Sequence, residues 1–115
     1  MSALPVIKGT LDVLALRALN LSPMHGFEIV EWLEQAAGGS LQIEDSALYQ
    51  ALYRLEERGY LKASWGVTAN NRRARYYEIT TKGRAHLKAE TSNWLEYARV
   101  VTAILSGSAT PQAAR

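Results

Sequence analysis

The sequence predicts a mainly α-helical fold with one small β-hairpin, and three observations support this fold class. Apolar residues recur at the three- and four-residue spacing of helices up to about residue 58, and again after residue 81. Between these regions, two short segments rich in aromatic and β-branched residues flank Asn70–Asn71, a pair typical of a turn between strands. The 115 residues are 48% hydrophobic, which is enough for one modest core.

The composition excludes several classes of protein. There is no cysteine, so disulfides and thiolate metal sites are excluded. No apolar run is long enough to cross a bilayer, and the first residues do not form a signal peptide. The sequence contains no glycine-rich phosphate loop, no nucleophile with a nearby base and no His–Glu metal motif. We therefore expect a cytoplasmic protein that is not an enzyme and that uses neither a metal nor a cofactor.

The formal net charge of +2 is small, but the charges are unevenly distributed along the chain. Residues 24–57 carry seven acidic side chains and one basic one, whereas residues 62–88 carry seven basic side chains and one acidic one. Basic charge concentrated on one segment is typical of proteins that bind a polyanion. An ordinary solvated surface is the alternative explanation.

Two helices are predicted before residue 40. The first begins at Thr10 and lacks a polar face, which indicates burial on most sides or coverage by a partner chain. The second is predicted to begin at Ser22–Pro23, a capping serine followed by a proline at the first helical position, and to end at Gly38–Gly39. We expect it to bury Phe27, Ile29, Val30 and Leu33.

The third helix, predicted at 44–58 after a brief extended piece at 41–43, has two different faces. One is a buried stripe of Leu48, Ala51, Leu52 and Leu55. The other carries groups that hydrogen-bond to phosphates and base edges: Ser46, Tyr49, Gln50, Tyr53 and Arg54. We interpret the segment as a DNA recognition helix, because an ordinary surface helix would carry lysine and glutamate there. The order helix, helix, extended link, helix is that of a helix-turn-helix.

The two predicted strands, 60–65 and 74–80, form a hairpin that must rest on the helices, since two strands alone are marginally stable. Arginines cluster near its tip, and we expect no carboxylate near them: Arg72, Arg73 and Arg75. We predict that they contact phosphate through paired guanidinium hydrogen bonds. Such a hairpin after the third helix is the wing of a winged helix-turn-helix.

The last predicted helix runs from Thr80 or Thr81 to about Leu105, roughly 36 Å at 1.5 Å per residue. Its apolar stripe is too long for this core to cover, so we expect a second copy of the chain to cover it. The stripe contains Leu87, Thr91, Trp94, Leu95, Ala98, Val101 and Leu105. The expected organisation is a winged-helix DNA-binding domain at residues 1–80, one long C-terminal dimerisation helix at 81–105 and a flexible tail at 106–115.

Several motifs occur together in a fixed order: KGTL at 8–11, SPMHGFEI at 22–29, ALY at 47–49, LYRLEERGYL at 52–61, RRARYY at 72–77 and TTKG at 80–83. Over roughly residues 7–105 the chain resembles the PadR family of bacterial transcriptional regulators, in a branch with a short C-terminal helix. The resemblance implies a homodimeric repressor that binds double-stranded DNA, and a two-fold dimer predicts a palindromic operator.

The resemblance also implies an effector. Similar multidrug-responsive branches bind planar aromatic compounds near the dimer interface, and Trp94 occupies the comparable place on the last helix. The chain departs from the family pattern at two places. Phe27 stands where tyrosine is usual, and Glu44–Asp45 puts negative charge at the entry to the third helix.

Some residues have more than one interpretation. Gln50 and Arg54 are expected to recognise adenine and guanine, whereas Tyr49 is either a groove contact or an anchor against the wing. Lys8 either contacts phosphate or is solvated, and Trp94 either packs in the dimer core or stacks on a ligand. We expect His25 to bond the backbone or pack, and Trp32 and Trp65 to be structural. The alternative function is a winged-helix protein-interaction module that binds no DNA.

Overall fold

The computed structural model describes residues 3–7 and 9–107. Lys8 and the last part of the predicted tail, residues 108–115, lie outside the described residues. The elements follow in the order β1 (Leu4–Pro5), α1 (Thr10–Leu19), β2 (Met24–His25), α2 (Gly26–Ala36), β3 (Leu41–Gln42), α3 (Asp45–Glu57), β4 (Leu61–Val67), β5 (Arg73–Ile79) and α4 (Thr81–Leu105). The predicted mainly α-helical fold with one hairpin is confirmed.

The core lies where α1, α2 and α3 pack together on one side of the hairpin. α1 buries five of its ten residues, and Arg17 alone of the ten is exposed, in agreement with the predicted lack of a polar face. The stripe predicted on α3 is buried in full, from Leu48 to Leu55. The buried side chains of the three helices form one cluster with Leu61, Tyr77 and Ile79 of the hairpin. The helix-turn-helix and the wing are therefore one packed unit.

The prediction for the start of α2 was wrong. The helix begins at Gly26, not at Ser22–Pro23, and its N-cap is His25. Met24 and His25 instead pair with Tyr77 and Tyr76 as a short antiparallel strand, so this backbone is extended and cannot start a helix. His25 Nδ1 accepts a hydrogen bond from the Glu28 backbone at 3.4 Å, and the Glu28 carboxylate accepts one from the His25 backbone at 3.1 Å.

This reciprocal capping box confirms that His25 bonds the backbone. A second expectation about α2 was also wrong, because Phe27 is 64% exposed. Phe27 is the second residue of α2, and its ring stacks on the side chain of the N-cap His25, with ring centres 6.5 Å apart, instead of entering the core. The predicted stop is confirmed, since Gly38 and Gly39 both have positive φ.

The hairpin is longer than predicted. β4 and β5 pair without interruption from Leu61 opposite Ile79 to Val67 opposite Arg73, and β2 adds a third strand beyond β5. The turn is closed by hydrogen bonds from the Thr68 backbone N–H to Arg72 and from the Asn71 N–H to Thr68, both 2.8 Å. Asn71 has φ 61°, a left-handed conformation that asparagine tolerates. The predicted extended piece at 41–43 is β3, which pairs in parallel with β1.

α4 projects from this core. The Thr80 hydroxyl caps it by accepting a hydrogen bond from the Gly83 N–H at 3.0 Å. Only Gly83 and Leu87 of its 25 residues are buried. The radius of gyration is 17.1 Å, above the ~13 Å of a compact domain of about 100 residues. Within the described residues, no helix is both long and apolar enough to cross a membrane.

Candidate nucleic-acid interface

The outer face of α3 carries all five residues predicted to enter a DNA groove. Burying one stripe of the helix turns the opposite stripe to solvent, and each of the five is exposed: Ser46, Tyr49, Gln50, Tyr53 and Arg54. The helix starts at an extended Glu44 whose side chain makes no capping hydrogen bond. A carboxylate at this end is favoured by the helix dipole, although it lowers the attraction for phosphate.

Three of these side chains already have partners in the protein. Tyr49 packs over the backbone of Gly26, where an added Cβ would lie 2.5 Å from the tyrosine oxygen. Tyr53 donates a hydrogen bond to the Glu57 carboxylate, which raises the pKa of the tyrosine hydroxyl. Arg54 forms two hydrogen bonds with Asp12 of α1, at 2.6 and 3.4 Å.

The wing arginines differ in their surroundings. Among the described residues, no carboxylate lies within ion-pairing distance of Arg72 or Arg73. Arg75, in contrast, pairs with Glu56 of α3 at 2.7 Å. The expectation that no carboxylate is near this cluster was therefore wrong for Arg75, because Glu56 is distant in sequence and the packing of the wing on α3 brings it close. The positive charges of Arg72 and Arg73 are therefore more available to a ligand than that of Arg75.

A cleft of about 700 Å³ lies between the outer part of the wing and the start of α2. Arg72, Arg73 and Arg75 line its wing side, and Tyr49 lines it from α3. The start of α2 supplies Glu28 and Glu31 to the same cleft, among other residues. The fold thus brings the two groups of predicted DNA contacts to one surface, although 23 residues separate Tyr49 from Arg72 in the chain.

A second cleft, of about 430 Å³, lies between the start of α1 and the middle of α4. Trp94 and Tyr97 of α4 form one wall, with ring centres 6.2 Å apart. Ile7 and Val13 are on the opposite side. Trp94 is 38% exposed, so its ring is accessible in a single copy of the chain.

Two residues at the interface were not identified from the sequence. Trp65, expected to be structural, is 61% exposed and its ring lies 4.6 Å from the Arg73 guanidinium. The second residue is Asp12 of α1, which pairs with Arg54. The position of Trp65 follows from the strand register. Trp65 is directly opposite Arg75, and Arg73 is two residues from Arg75, so the three side chains lie on the same face of the hairpin. No local sequence pattern connects Asp12 with Arg54.

Comparisons with known proteins agree with this fold. The model of the transcriptional regulator PadR-like family matches residues 15–89. A transcriptional regulator from Clostridium thermocellum is 29% identical and superimposes with a TM-score of 0.76, over 84% of this chain and 93% of its own. A PadR family transcriptional regulator from Eggerthella lenta is 30% identical with a TM-score of 0.71, over 85% of this chain and 83% of its own.

A protein of unknown function from Lysinibacillus sphaericus is 28% identical over 102 residues, which are 89% of this chain and 94% of that protein. The family match includes α2, α3, the wing and the start of α4, the elements that build the interface described above. The chain belongs to the PadR-like family of transcriptional regulators, which are not enzymes.

Proposed function

We propose that two copies of this chain bind one palindromic DNA operator and repress transcription until a small aromatic effector releases them. The observation that carries the DNA contact is the position of Arg72 and Arg73. Both guanidinium groups lack a carboxylate partner among the described residues, and both line the cleft that Tyr49 of α3 also lines. Unpaired arginines are strong phosphate ligands, so the wing binds the backbone while α3 enters the major groove.

Ser46 and Gln50 of α3 are exposed, and their side chains make no hydrogen bond with another residue that the structure describes. We propose that they contact bases together with Tyr49, Tyr53 and Arg54. Arg75 supports the wing contact less strongly than its neighbours, because Glu56 neutralises part of its charge. Residues 1–80 form the DNA-binding domain in this proposal, and residues 81–105 form the dimerisation helix. Lys8, outside the described residues, remains a candidate phosphate contact from its place in the sequence.

Selection of DNA from a random pool by the purified protein tests this function. We expect a palindrome whose half-sites are ~10 bp apart, or a multiple of that spacing, because a two-fold dimer presents its recognition helices one helical turn apart. With ~6–10 phosphate contacts, the affinity should fall about 10³- to 10⁵-fold between roughly 50 and 200 mM salt. A protein that selects no sequence and shows no salt dependence would instead be a protein-interaction module.

The homodimer is supported by the apolar surface that α4 leaves open. Leu95 and Leu105 of the predicted stripe are each more than 60% exposed, and Trp94 of the same stripe is 38% exposed. A monomer rarely exposes several large apolar side chains along one side of a helix, and a second α4 would cover them.

Sedimentation of two variants tests the dimer. Ala98→Glu places a charge in the predicted stripe and should shift the protein to a monomer with weak operator affinity. Ser92→Glu adds the same charge on a different side of α4 and should leave the dimer intact. A wild-type protein that stays monomeric at micromolar concentration, or equal behaviour of both variants, would contradict the proposal.

The effector proposal rests on the cleft beside Trp94. Its volume of about 430 Å³ lies in the range of small-molecule sites, and an accessible indole ring beside a tyrosine suits a planar aromatic compound. In a protein with Trp32→Phe and Trp65→Phe, such a compound should quench the fluorescence of Trp94. The control protein keeps Trp32 as its fluorophore and carries Trp94→Phe. The same compound should not quench the fluorescence of this control. Absence of quenching by a broad panel of planar compounds would remove this part of the proposal.

A further inference from the structure

Arg54 of the recognition helix is held by a residue of another helix. Its Nη2 donates to Asp12 Oδ1 at 2.6 Å and its Nε donates to Asp12 Oδ2 at 3.4 Å. The Asp12 side chain is only 20% exposed, whereas the Arg54 side chain is 45% exposed. The carboxylate therefore sits at the base of the contact, and the guanidinium extends from it towards solvent.

This geometry fixes which donors of Arg54 remain available. A guanidinium has five N–H donors in one plane, and the Asp12 contact uses one on Nε and one on Nη2. The other Nη2 hydrogen and both Nη1 hydrogens remain available. One Nη1 hydrogen and the free Nη2 hydrogen point in the same direction from the end of the guanidinium group. Two adjacent donors match the O6 and N7 acceptors of guanine in the major groove.

The charges around Arg54 favour a base over a phosphate as the partner of its two free N–H donors. Arg54 lines a cleft with Asp12, Glu44 and Gln50. The charged groups among these residues are one guanidinium and two carboxylates, which together repel a phosphate. A guanine edge is uncharged and meets no such repulsion. Gln50 lies one turn before Arg54 on the same side of α3, so the two side chains are placed for neighbouring bases.

We propose that Asp12 is a positioning residue that holds Arg54 end-on for recognition of one guanine in each operator half-site. This inference rests on the proposed DNA-binding function and adds a determinant of its specificity. Asp12 itself touches no DNA. It restricts a long, flexible side chain to one orientation before binding, so less freedom is lost when the two hydrogen bonds to guanine form.

The test measures base preference in the full-length protein. Once an operator is selected, each guanine is replaced symmetrically in both half-sites, and affinities are measured for wild type, Asp12→Ala, Arg54→Ala and the double variant. In the wild type, one replacement should cost roughly 5- to 150-fold per half-site. Arg54→Ala should abolish that preference, and Asp12→Ala should reduce it to a value between those of the wild type and Arg54→Ala, while other positions keep their preferences. In the double variant, Asp12→Ala should cause no further change in the guanine preference beyond that caused by Arg54→Ala.

Two further variants separate positioning from folding. Asp12→Asn keeps the side-chain size and one acceptor oxygen, and it should lose part of the preference even if Asp12→Ala unfolds. Glu96→Gln removes a carboxylate from the equally short 2.6 Å pair with Arg99 on α4, and the guanine preference should not change. Thermal unfolding of each variant monitors stability.

Three outcomes would overturn the inference. In the first, both Asp12 variants bind with the wild-type preference, so the pair only joins α1 to α3. In the second, Arg54→Ala weakens every duplex alike and flattens the salt dependence, so Arg54 contacts phosphate. In both cases the protein still binds DNA and the proposed function stands. In the third, the wild type binds no duplex at all, which overturns the proposed function as well.

Discussion

The Arg73 guanidinium lies 4.6 Å from the centre of the Trp65 ring, so an exposed tryptophan of β4 supports an exposed arginine of β5. The two residues are on neighbouring strands of the wing and on the same face of the hairpin. Trp65 faces the cleft that Tyr49 and Arg72 also line. The ring thus limits the directions in which the Arg73 side chain extends from the wing.

We predict that Trp65→Ala weakens binding to every duplex, whereas Trp65→Phe has a smaller effect. A cation–π contact at an exposed site contributes ~0.5–1 kcal/mol, so the loss should be about two- to fivefold in affinity for each wing. The number of charges does not change, so the slope of affinity against salt should remain that of the wild type. Fluorescence anisotropy with operator and random duplexes measures both quantities. Equal losses in the two variants would contradict an interaction through the ring face.

Replacing Arg72 and Arg73 together by alanine should weaken binding to all sequences alike. Each arginine that contacts one phosphate contributes about one unit to the logarithmic salt slope, so the slope should become shallower by roughly two units for each wing. Titrations at several salt concentrations provide the measurement, and Arg99→Ala on α4 serves as the control. A loss confined to the operator would mean that these arginines recognise bases.

Glu56→Gln should strengthen binding to every duplex and make the salt dependence steeper. The Glu56 carboxylate pairs with Arg75 at 2.7 Å, so its removal frees that guanidinium for phosphate. The matched control is Glu34→Gln, which removes the same charge from an exposed position of α2 without releasing an arginine. If both variants gained the same affinity, the release of Arg75 would not be the cause.

Gly83→Ala should destabilise the fold, although alanine normally favours a helix over glycine by ~1 kcal/mol. A Cβ at position 83 would collide with the backbone carbonyl oxygen of Tyr60, in the short link between α3 and β4. Overpacking against backbone typically costs about 1–3 kcal/mol. Gly26→Ala is the comparison, because the three atoms nearest to its Cβ belong to the half-exposed side chain of Tyr49, which can rotate away. Urea unfolding of the two variants should show the larger loss for Gly83→Ala.

Stability should fall at alkaline pH partly because of Tyr77. Burial raises the pKa of the Tyr77 hydroxyl, with Arg75 opposing part of the effect. Below the ordinary tyrosine pKa of ~10 both the folded and unfolded forms are protonated, so Tyr77 causes no pH dependence there. Above it the unfolded chain ionises first, and the free energy of unfolding decreases as the pH rises. Tyr77→Phe should remove this part of the decrease in urea unfolding between about pH 9 and 11.

Much of the fold could be predicted because its signals are local. The stripe of Leu48, Ala51, Leu52 and Leu55 repeats at helical spacing, and all four are buried. The predicted stop at Gly38–Gly39 is local as well, since both glycines adopt a positive φ. The start of α2 failed because the competing interaction is distant: pairing with Tyr76 and Tyr77 keeps Met24–His25 extended, and a histidine then provides the cap.

By itself the sequence determined the helix and strand types, the exposed face of α3 and the family to which the chain belongs, since periodicity and motif spacing are properties of neighbouring residues. Only the tertiary structure decided which arginines keep their charge available. Asp12 meets Arg54 across 42 residues and Glu56 meets Arg75 across 19, while Arg73 lies on Trp65 instead. Ion pairs form between side chains that folding brings within a few ångströms, and no local pattern specifies that distance.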